Sequence, residues 1–280
     1  MSRPVQIVLA AAGVLAASVG AWLFLFLPRP RGNVPPSSAA YVKKVMDIRR
    51  ARGVQPEVCR METLDGRAFH LFVPAGWGRG RAAPLIVSCH GTDPFDTAEL
   101  QAQEWRGLAE RHGCIVVCPR LSSTDGILGA GEPDGLRADE KHILSVACEV
   151  CRRYDVDRER VMITGFAGGG HPMYFVGLRH PEVFTTVAAR SCSFSREALD
   201  GHWPPEAART PVMAYCGRRD PQAIRRQTAE AVKYLRSRGF QVATTVLSDA
   251  GHERRPDVAM RFFMAHSTGR HAQSAPAAGR

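Results

Sequence analysis

Residues 161–169 place an apolar run, a glycine-flanked turn and the start of a helical pattern in immediate succession. A turn of this kind, written G-x-S-x-G, is the nucleophile elbow, in which a strained backbone exposes a serine hydroxyl above a parallel sheet. In this chain the motif reads Gly165-Phe166-Ala167-Gly168-Gly169, so alanine stands at its centre. A methyl group neither attacks a carbonyl carbon nor donates a hydrogen bond. The sequence therefore predicts a site built for nucleophilic chemistry around a position that lacks the nucleophile.

Two further side chains that suit such chemistry follow later apolar runs. Asp220 comes after Val212–Cys216, and His252 comes after Gln241–Leu247. Because ligand sites of open parallel sheets lie beyond the carboxyl ends of the strands, we expect both side chains at that edge. The order of elbow, acid and histidine is one of the known chain orders of a catalytic triad. In the alternative, Asp220 caps the helix after Pro221, and His252 is structural.

Backbone donors are predicted at the same edge. The turn His90-Gly91-Thr92 follows the apolar run that ends at Cys89, so the N–H groups of Gly91 and Thr92 can face an oxyanion. The N–H of Gly168, directly after the elbow position, provides a further donor.

At this point the chain from about residue 57 to residue 266 resembles an α/β-hydrolase of the carboxylesterase and polyhydroxybutyrate-depolymerase-like type. Three segments carry the resemblance: the approach to the elbow from Asp155 to Phe166, the acid loop Gly217…Asp220-Pro221, and Gly251-His252-Glu253. The resemblance implies that Asp220 orients His252, that His252 is the general base, and that the oxyanion hole lies near Thr92 and Gly168. The chain departs from the family at Ala167, where the family has serine.

The order of apolar runs predicts the fold. From Pro84 onward, strand-like runs alternate with helical patterns, which indicates the α/β class with a mainly parallel sheet flanked by helices. The predicted strands are Leu85–Cys89, Cys114–Cys118, Val161–Thr164, Thr185–Ala189, Val212–Cys216 and Gln241–Leu247. Before them, Cys59–Thr63 and Arg67–Val73 flank Asp65-Gly66 and predict an antiparallel hairpin at the edge of the sheet.

The pocket walls are predicted less specifically. We expect His90, Phe166, Phe194 and Trp203 to contact the ligand, with residues 122–137 and 194–210 as surrounding loops. Asp96 and Glu99 have the spacing of a helix-capping box. His171, in the helix after the elbow, is interpreted as a packing or rim residue.

The amino terminus suggests a membrane anchor. Residues 5–27 contain no charged side chain, and at about 1.5 Å per residue they are long enough to cross a bilayer as a helix. We expect residues 1–4 to flank this single span, residues 28–56 to form a linker with a short basic helix, residues 57–266 to form the hydrolase domain, and residues 267–280 to be disordered. Arginines flank the span on both sides, so the distribution of positive charge hardly discriminates between its two orientations. A location of the hydrolase domain outside the cytoplasm is only slightly favoured.

Charge and cysteine usage exclude several functions. The formal net charge of +10 arises from scattered arginines without an aromatic-interleaved basic stripe, so no nucleic-acid partner is predicted. The pair Cys148 and Cys151 has no matching second pair, and no glycine-rich phosphate loop follows a first strand. We therefore predict no metal and no other cofactor.

Two functional hypotheses remain open. In the first, the protein is a pseudo-hydrolase that binds an ester or acyl ligand, or a protein partner, without turnover. In the second, it is an active ester hydrolase in which His252 activates water, or in which Ser191, Cys192 or Ser193 replaces the missing serine. Alanine is also the usual replacement when a hydrolase is inactivated by design, and the sequence leaves that origin of Ala167 open.

Overall fold

The computed structural model describes residues 58–63, 66–78, 80–124, 133–199 and 203–267. These residues build an eight-stranded sheet in the order β1-β2-β4-β3-β5-β6-β7-β8. The strands are β1 (Cys59–Glu62), β2 (Ala68–Phe72), β3 (Ala83–Cys89), β4 (Ile115–Pro119), β5 (Val156–Ala167), β6 (Thr186–Cys192), β7 (Val212–Gly217) and β8 (Val242–Leu247). Strands β1 and β2 pair antiparallel to each other, and β2 pairs antiparallel to β4, whereas all other neighbours are parallel. The predicted mainly parallel sheet with an antiparallel hairpin at its edge is confirmed.

Helices cover both faces of this sheet. They are α1 (Ala98–His112), α2 (Pro133–Arg153), α3 (Gly170–Arg179), α4 (Arg196–Leu199), α5 (Gln222–Ser237) and α6 (Pro256–Ser267), with a short 3₁₀ helix at Pro205–Arg209. Alternate residues of a strand point to opposite faces, so β3 sends Leu85 and Val87 into one apolar core and Ile86 into the other. The first core is shared with α2, α3 and α5, and the second with α1 and α6.

One strand is longer than its apolar pattern predicts. The run Val161–Thr164 belongs to β5, which begins at Val156 because Val156 pairs with Ala83 of β3. Residues 158 and 159 of this extension are exposed, so hydrophobic periodicity could not detect it. The strand also continues through Phe166 to Ala167, where its pairing with β6 shifts in register.

The cap of α1 differs from the predicted capping box. Thr97 is the N-cap, and its side chain accepts a hydrogen bond from the N–H of Leu100. Asp96 precedes the cap, and its carboxylate turns inward to Gly91 and Gln101.

The predicted anchor at residues 5–27, the segment 28–56 and the tail from residue 268 lie outside the described residues. Within the described part of the chain, no helix is long and apolar enough to cross a membrane.

A pair of glycine substitutions tests the close approach of the elbow to the preceding loop. A Cβ atom on Gly169 would lie 2.4 Å from the carbonyl oxygens of both Cys89 and His90, although its φ of −63° suits any residue. We expect Gly169→Ala to lower the free energy of unfolding by about 1–3 kcal/mol, because backbone must move to admit the methyl group. Gly107→Ala, on an open face of α1, should instead raise it by about 0.5–1 kcal/mol. Urea denaturation measures the free energy of unfolding of both variants. Equal changes in the two variants would contradict the packing argument.

Candidate active site

The elbow is a strained turn between β5 and α3. Ala167 ends the strand with a φ of +48°, a left-handed conformation that costs a residue with a side chain about 1–2 kcal/mol. The N–H of Gly169 donates to the carbonyl of Phe166 at 2.8 Å and closes the turn. A Cβ atom on Gly165 would lie only 2.5 Å from the Gly169 carbonyl oxygen, so this glycine lets strand and turn approach. Backbone strain of this kind concentrates at functional sites. Here the strained residue presents a methyl group at the carboxyl edge of the sheet.

Asp220 and His252 are brought together by the loops that follow β7 and β8. The Nδ1 atom of His252 lies 2.6 Å from Oδ1 of Asp220. The second carboxylate oxygen accepts from the Ser191 hydroxyl at 2.8 Å and from the N–H of Gly217 at 2.5 Å. Asp220 is 4% exposed, so a fixed, buried carboxylate sets the orientation of a ring that is itself about one third exposed.

The capping alternative for Asp220 finds no support in this geometry. Helix α5 begins at Gln222 with Pro221 as its N-cap and without a side-chain capping bond. The carboxylate of Asp220 is used instead by the histidine and by the end of β7.

A pocket of about 720 Å³ opens above the elbow. Ala167 and His252 both line it, and the ring of Phe166 packs on the imidazole with centroids 4.7 Å apart. Because Nδ1 of His252 is taken by Asp220, the free Nε2 atom is the ring nitrogen available for a ligand. The full lining is Thr92, Phe95, Asp96, Glu104, Phe166, Ala167, His252, Glu253, Arg254, Arg255 and Pro256.

The predicted oxyanion donors divide into two groups. The N–H of Gly91 donates to Oδ2 of Asp96 at 2.6 Å, which removes it from the predicted set. The N–H groups of Thr92 and Gly168 make no hydrogen bond within the part of the chain that the structure describes. A Cβ atom on Gly168 would lie 3.6 Å from the Thr92 nitrogen, so the two donors are neighbours. Gly168 is buried and Thr92 is half-buried. Backbone N–H groups held away from water are rarely left unpaired, so this pair is suited to an oxygen atom of a ligand.

His90 does not line the pocket. Its Nε2 atom accepts from the N–H of Leu121, so Nδ1 carries the proton and donates to the Gly91 carbonyl at 2.7 Å. The side chain is 2% exposed. The two hydrogen bonds of His90 hold the loop that presents Thr92. The prediction that His90 contacts a ligand is therefore not supported.

Phe194 and Trp203 also lie away from the pocket. Phe194 packs edge-on against Tyr174, and Trp203 packs on Tyr234 and Phe240 in the core beside α5. Of the four side chains predicted to contact a ligand, Phe166 is the one that lines the pocket. The exposed Phe95, which the sequence reasoning did not select, supplies a second aromatic wall.

A buried arginine lies beneath the site and was missed from the sequence. Arg190 on β6 is fully buried, and its guanidinium donates to Glu104 Oε1 at 2.7 Å and to Gln101 Oε1 at 2.5 Å. It also donates to the Ser88 hydroxyl, the Thr164 hydroxyl and the carbonyl of Arg254. The hydrogen bond to the Arg254 carbonyl connects the loop that carries His252 to the centre of the sheet.

Two carboxylates face Arg254 at the side of the pocket. The Nε atom of Arg254 lies 3.2 Å from Asp96 Oδ1 and 3.3 Å from Glu104 Oε2. Burial raises the pKa of Glu104, while Arg190 and Arg254 act in the opposite direction. Arg254 could have been selected from the sequence because it follows His252 by two residues. Asp96 could not, because its spacing to Glu99 is also that of a helix-capping box.

No metal centre is indicated in the described residues, which contain no group of three His, Cys, Asp or Glu side chains able to hold an ion. His171 is buried in α3, and burial lowers its pKa. The cysteines are present as free thiols, including Cys148 and Cys151.

Comparisons with known proteins agree with this geometry at the level of the fold. No protein-family model matches the chain. A bifunctional acetylxylan esterase/xylanase from Neocallimastix patriciarum is 25% identical over 128 residues, which are 46% of this chain. The matched part spans only 16% of the length of that relative.

Solved structures cover more of the chain. A ferulic acid esterase superposes with a TM-score of 0.61 at 18% identity, over 76% of this chain and 98% of its own. Esterase B from Lactobacillus rhamnosis superposes with a TM-score of 0.57 at 17% identity, over 83% of this chain and 95% of its own. The described residues therefore have an α/β-hydrolase-like fold with a mainly parallel sheet flanked by helices, as predicted, and the predicted membrane anchor lies outside them.

Proposed function

We propose that this protein is an α/β-hydrolase of the serine-esterase type that binds an ester or acyl ligand, or a protein partner, with catalysis impaired at Ala167. The observation that carries the proposal is a methyl group at the strained elbow, beside the Asp220–His252 pair and two backbone donors that no described residue uses. Every group that would orient and polarise an acyl group is present, and the attacking oxygen is missing. The esterase names among the compared proteins support an ester or acyl ligand.

The expected residual activity is small. When one member of a Ser-His-Asp triad is removed, the oxyanion hole and binding alone retain roughly 10³–10⁴-fold acceleration over water. Working enzymes reach accelerations of about 10⁶-fold and far above. Binding without useful turnover is therefore the expected outcome of this constellation.

Neighbouring side chains are poor substitutes for the missing serine. Ser191 is fully buried and donates its hydroxyl to Asp220. Cys192 donates to the Gly165 carbonyl, and burial raises the pKa of its thiol to about 12. At pH 8 about one thiol in ten thousand would be the reactive thiolate. Ser193 uses its N–H to bind the carbonyl of Ala167 and does not line the pocket.

Hydrolysis by water is the second candidate function. His252 lines the same pocket as Ala167, and Asp220 leaves its Nε2 atom unused, so a water molecule there can be deprotonated by the histidine. This candidate predicts turnover that requires His252 and leaves no covalent intermediate on the protein.

The sequence adds the cellular context to the proposal. We place the domain on a single membrane span at residues 5–27, with a location outside the cytoplasm slightly favoured and no nucleic-acid partner. These assignments rest on the apolar run and the scattered arginines alone.

A fluorophosphonate probe tests the proposed function on the full-length protein. The probe forms a covalent bond with an activated serine, so we expect no labelling of the unchanged chain by intact-mass measurement. Covalent labelling that is lost in His252→Gln would show an active nucleophile and refute the proposal. Unlabelled protein that nevertheless hydrolyses esters with a requirement for His252 would favour the water mechanism.

A further inference from the structure

The alanine at the elbow changes which ligand the pocket fits best. We propose that the preferred ligand of this site is a free carboxylate, held by the N–H groups of Thr92 and Gly168 and by the protonated ring of His252. The inference rests on the proposed function and makes it more specific, because it names the chemical state of the acyl ligand. Three features of the pocket support it.

The first feature is the pair of backbone donors. Thr92 and Gly168 present neighbouring N–H groups that no described residue uses. Gly168 precedes Gly169, the N-cap of α3, and the amino end of that helix carries partial positive charge. A Cβ atom on Gly168 would lie 2.8 Å from the Thr124 carbonyl oxygen and 3.1 Å from Oγ1 of Thr92, so this site admits only glycine without movement. An oxygen that binds here gains two donors and a favourable dipole, and a negatively charged oxygen gains most.

The second feature is the position that a serine hydroxyl would occupy. In an acyl-transfer site the serine oxygen lies between the histidine and the acyl carbon, where it attacks. With Ala167 the elbow residue itself supplies a methyl group and no oxygen at that position. A carboxylate can bind one oxygen at the two N–H groups and direct its other oxygen toward Nε2 of His252. An ester places an uncharged, substituted oxygen there, which is bulkier and a weaker acceptor.

The third feature is the arrangement of charge around His252. Asp220 accepts from Nδ1, so a neutral ring presents an unprotonated Nε2 that repels a carboxylate oxygen, whereas an imidazolium donates to it. The carboxylate therefore binds the imidazolium form of the ring, so its binding is linked to the uptake of a proton.

Other charged groups near the ring are largely paired with one another. Asp96 and Glu104 lie against Arg254, and Glu104 also binds Arg190. Arg255 binds Asp257 and lies 4.0 Å from Asp249, and Glu253 accepts from the N–H of Gly251. Of the carboxylates that line the described pocket, Asp96 and Glu104 thus lie against arginine, Glu253 accepts a backbone N–H, and two arginines lie at the rim.

Binding of hexanoate and of hexanamide to the full-length protein tests the proposal. The two probes have the same shape, but the amide is uncharged and presents N–H where the acid presents an oxygen. By isothermal titration calorimetry at about pH 6, we expect hexanoate to bind at least about tenfold more tightly than hexanamide. When the titration is repeated at about pH 8, we expect this preference to be smaller, because binding of the carboxylate is linked to protonation of the ring.

Matched variants assign the effect to the proposed groups. His252→Gln should reduce the preference and remove its dependence on pH, whereas His266→Gln, which removes an exposed histidine outside the pocket, should leave both unchanged. Ala167→Ser should weaken hexanoate more than hexanamide, because the new hydroxyl occupies the second oxygen position.

Three outcomes overturn the proposal. They are equal binding of hexanamide or methyl hexanoate at about pH 6, a preference independent of pH, and no binding of hexanoate. Equal binding of the acid and the ester would leave the proposed acyl-binding function standing. Failure of that function is detected separately, by covalent labelling with the fluorophosphonate probe.

Discussion

Ala167→Ser is expected to convert the protein into an ester hydrolase. Serine and alanine both carry a Cβ atom, so the φ of +48° that alanine already adopts adds no new backbone strain for serine. The new hydroxyl would project into the pocket shared with His252, whose orientation is set by Asp220. We expect kcat/KM for p-nitrophenyl acetate to rise by about 10³-fold or more, since the complete triad acts as a unit. The release of p-nitrophenol measures the rate.

Two controls separate a restored triad from a nonspecific effect. Ala167→Gly changes the same position without adding a hydroxyl and should remain inactive. The double variant Ala167→Ser/His252→Gln should lose the gained activity, because the serine then lacks its base. An Ala167→Ser protein that is folded by circular dichroism yet no more active than the unchanged protein would mean that the triad geometry is not catalytically competent.

Removal of the buried arginine is expected to have the largest effect on stability. Arg190→Met deletes the guanidinium that binds Glu104 and Gln101 and leaves those groups buried without their main donor. Breaking a buried ion pair by removing one partner typically costs about 3–5 kcal/mol, since the remaining charge stays out of water. We expect a loss of that size in the free energy of unfolding, measured by urea denaturation with circular dichroism.

A surface arginine and a second-site change provide the controls. Arg261→Met removes an exposed ion pair with Asp257 and should cost no more than about 1 kcal/mol. Adding Glu104→Gln to Arg190→Met should restore part of the loss, because the uncompensated carboxylate is removed. A loss below about 1 kcal/mol for Arg190→Met would show that the network adds little to stability.

Much of the fold was predictable because local patterns encode it. Runs such as Leu85–Cys89 are buried on both faces, so they are apolar throughout and identify central strands. The hairpin was predicted from alternation around Asp65-Gly66. Element ends were less accurate, since the start of β5 depends on pairing with Ala83 and has no apolar signal of its own.

Part of the candidate site was predictable for a related reason. The carboxyl ends of parallel strands meet at one edge of a sheet, so chain order alone places the loops with Ala167, Asp220 and His252 there. Their juxtaposition in the structure, with His252 Nδ1 2.6 Å from Asp220, agrees with that reasoning. The identity of residue 167 as alanine is likewise a property of the sequence alone.

Only the tertiary structure decided how these parts are used. Gly91 and Thr92 are adjacent in the chain, but Asp96 takes the N–H of Gly91 and leaves that of Thr92 available. Phe194 and Trp203 follow a strand end as predicted, yet their rings turn into the core, where apolar burial stabilises them.

The sequence by itself determined the succession of strands and helices along the chain, the loops that form the site, and the absence of a serine at the elbow. The tertiary structure decided which donors are free, which side chains line the pocket, and that a buried arginine holds the histidine loop. The physical reason is distance along the chain. Strand periodicity and turns are set by neighbouring residues, whereas Arg190 and Glu104 are 86 positions apart and meet only when the sheet and α1 pack together.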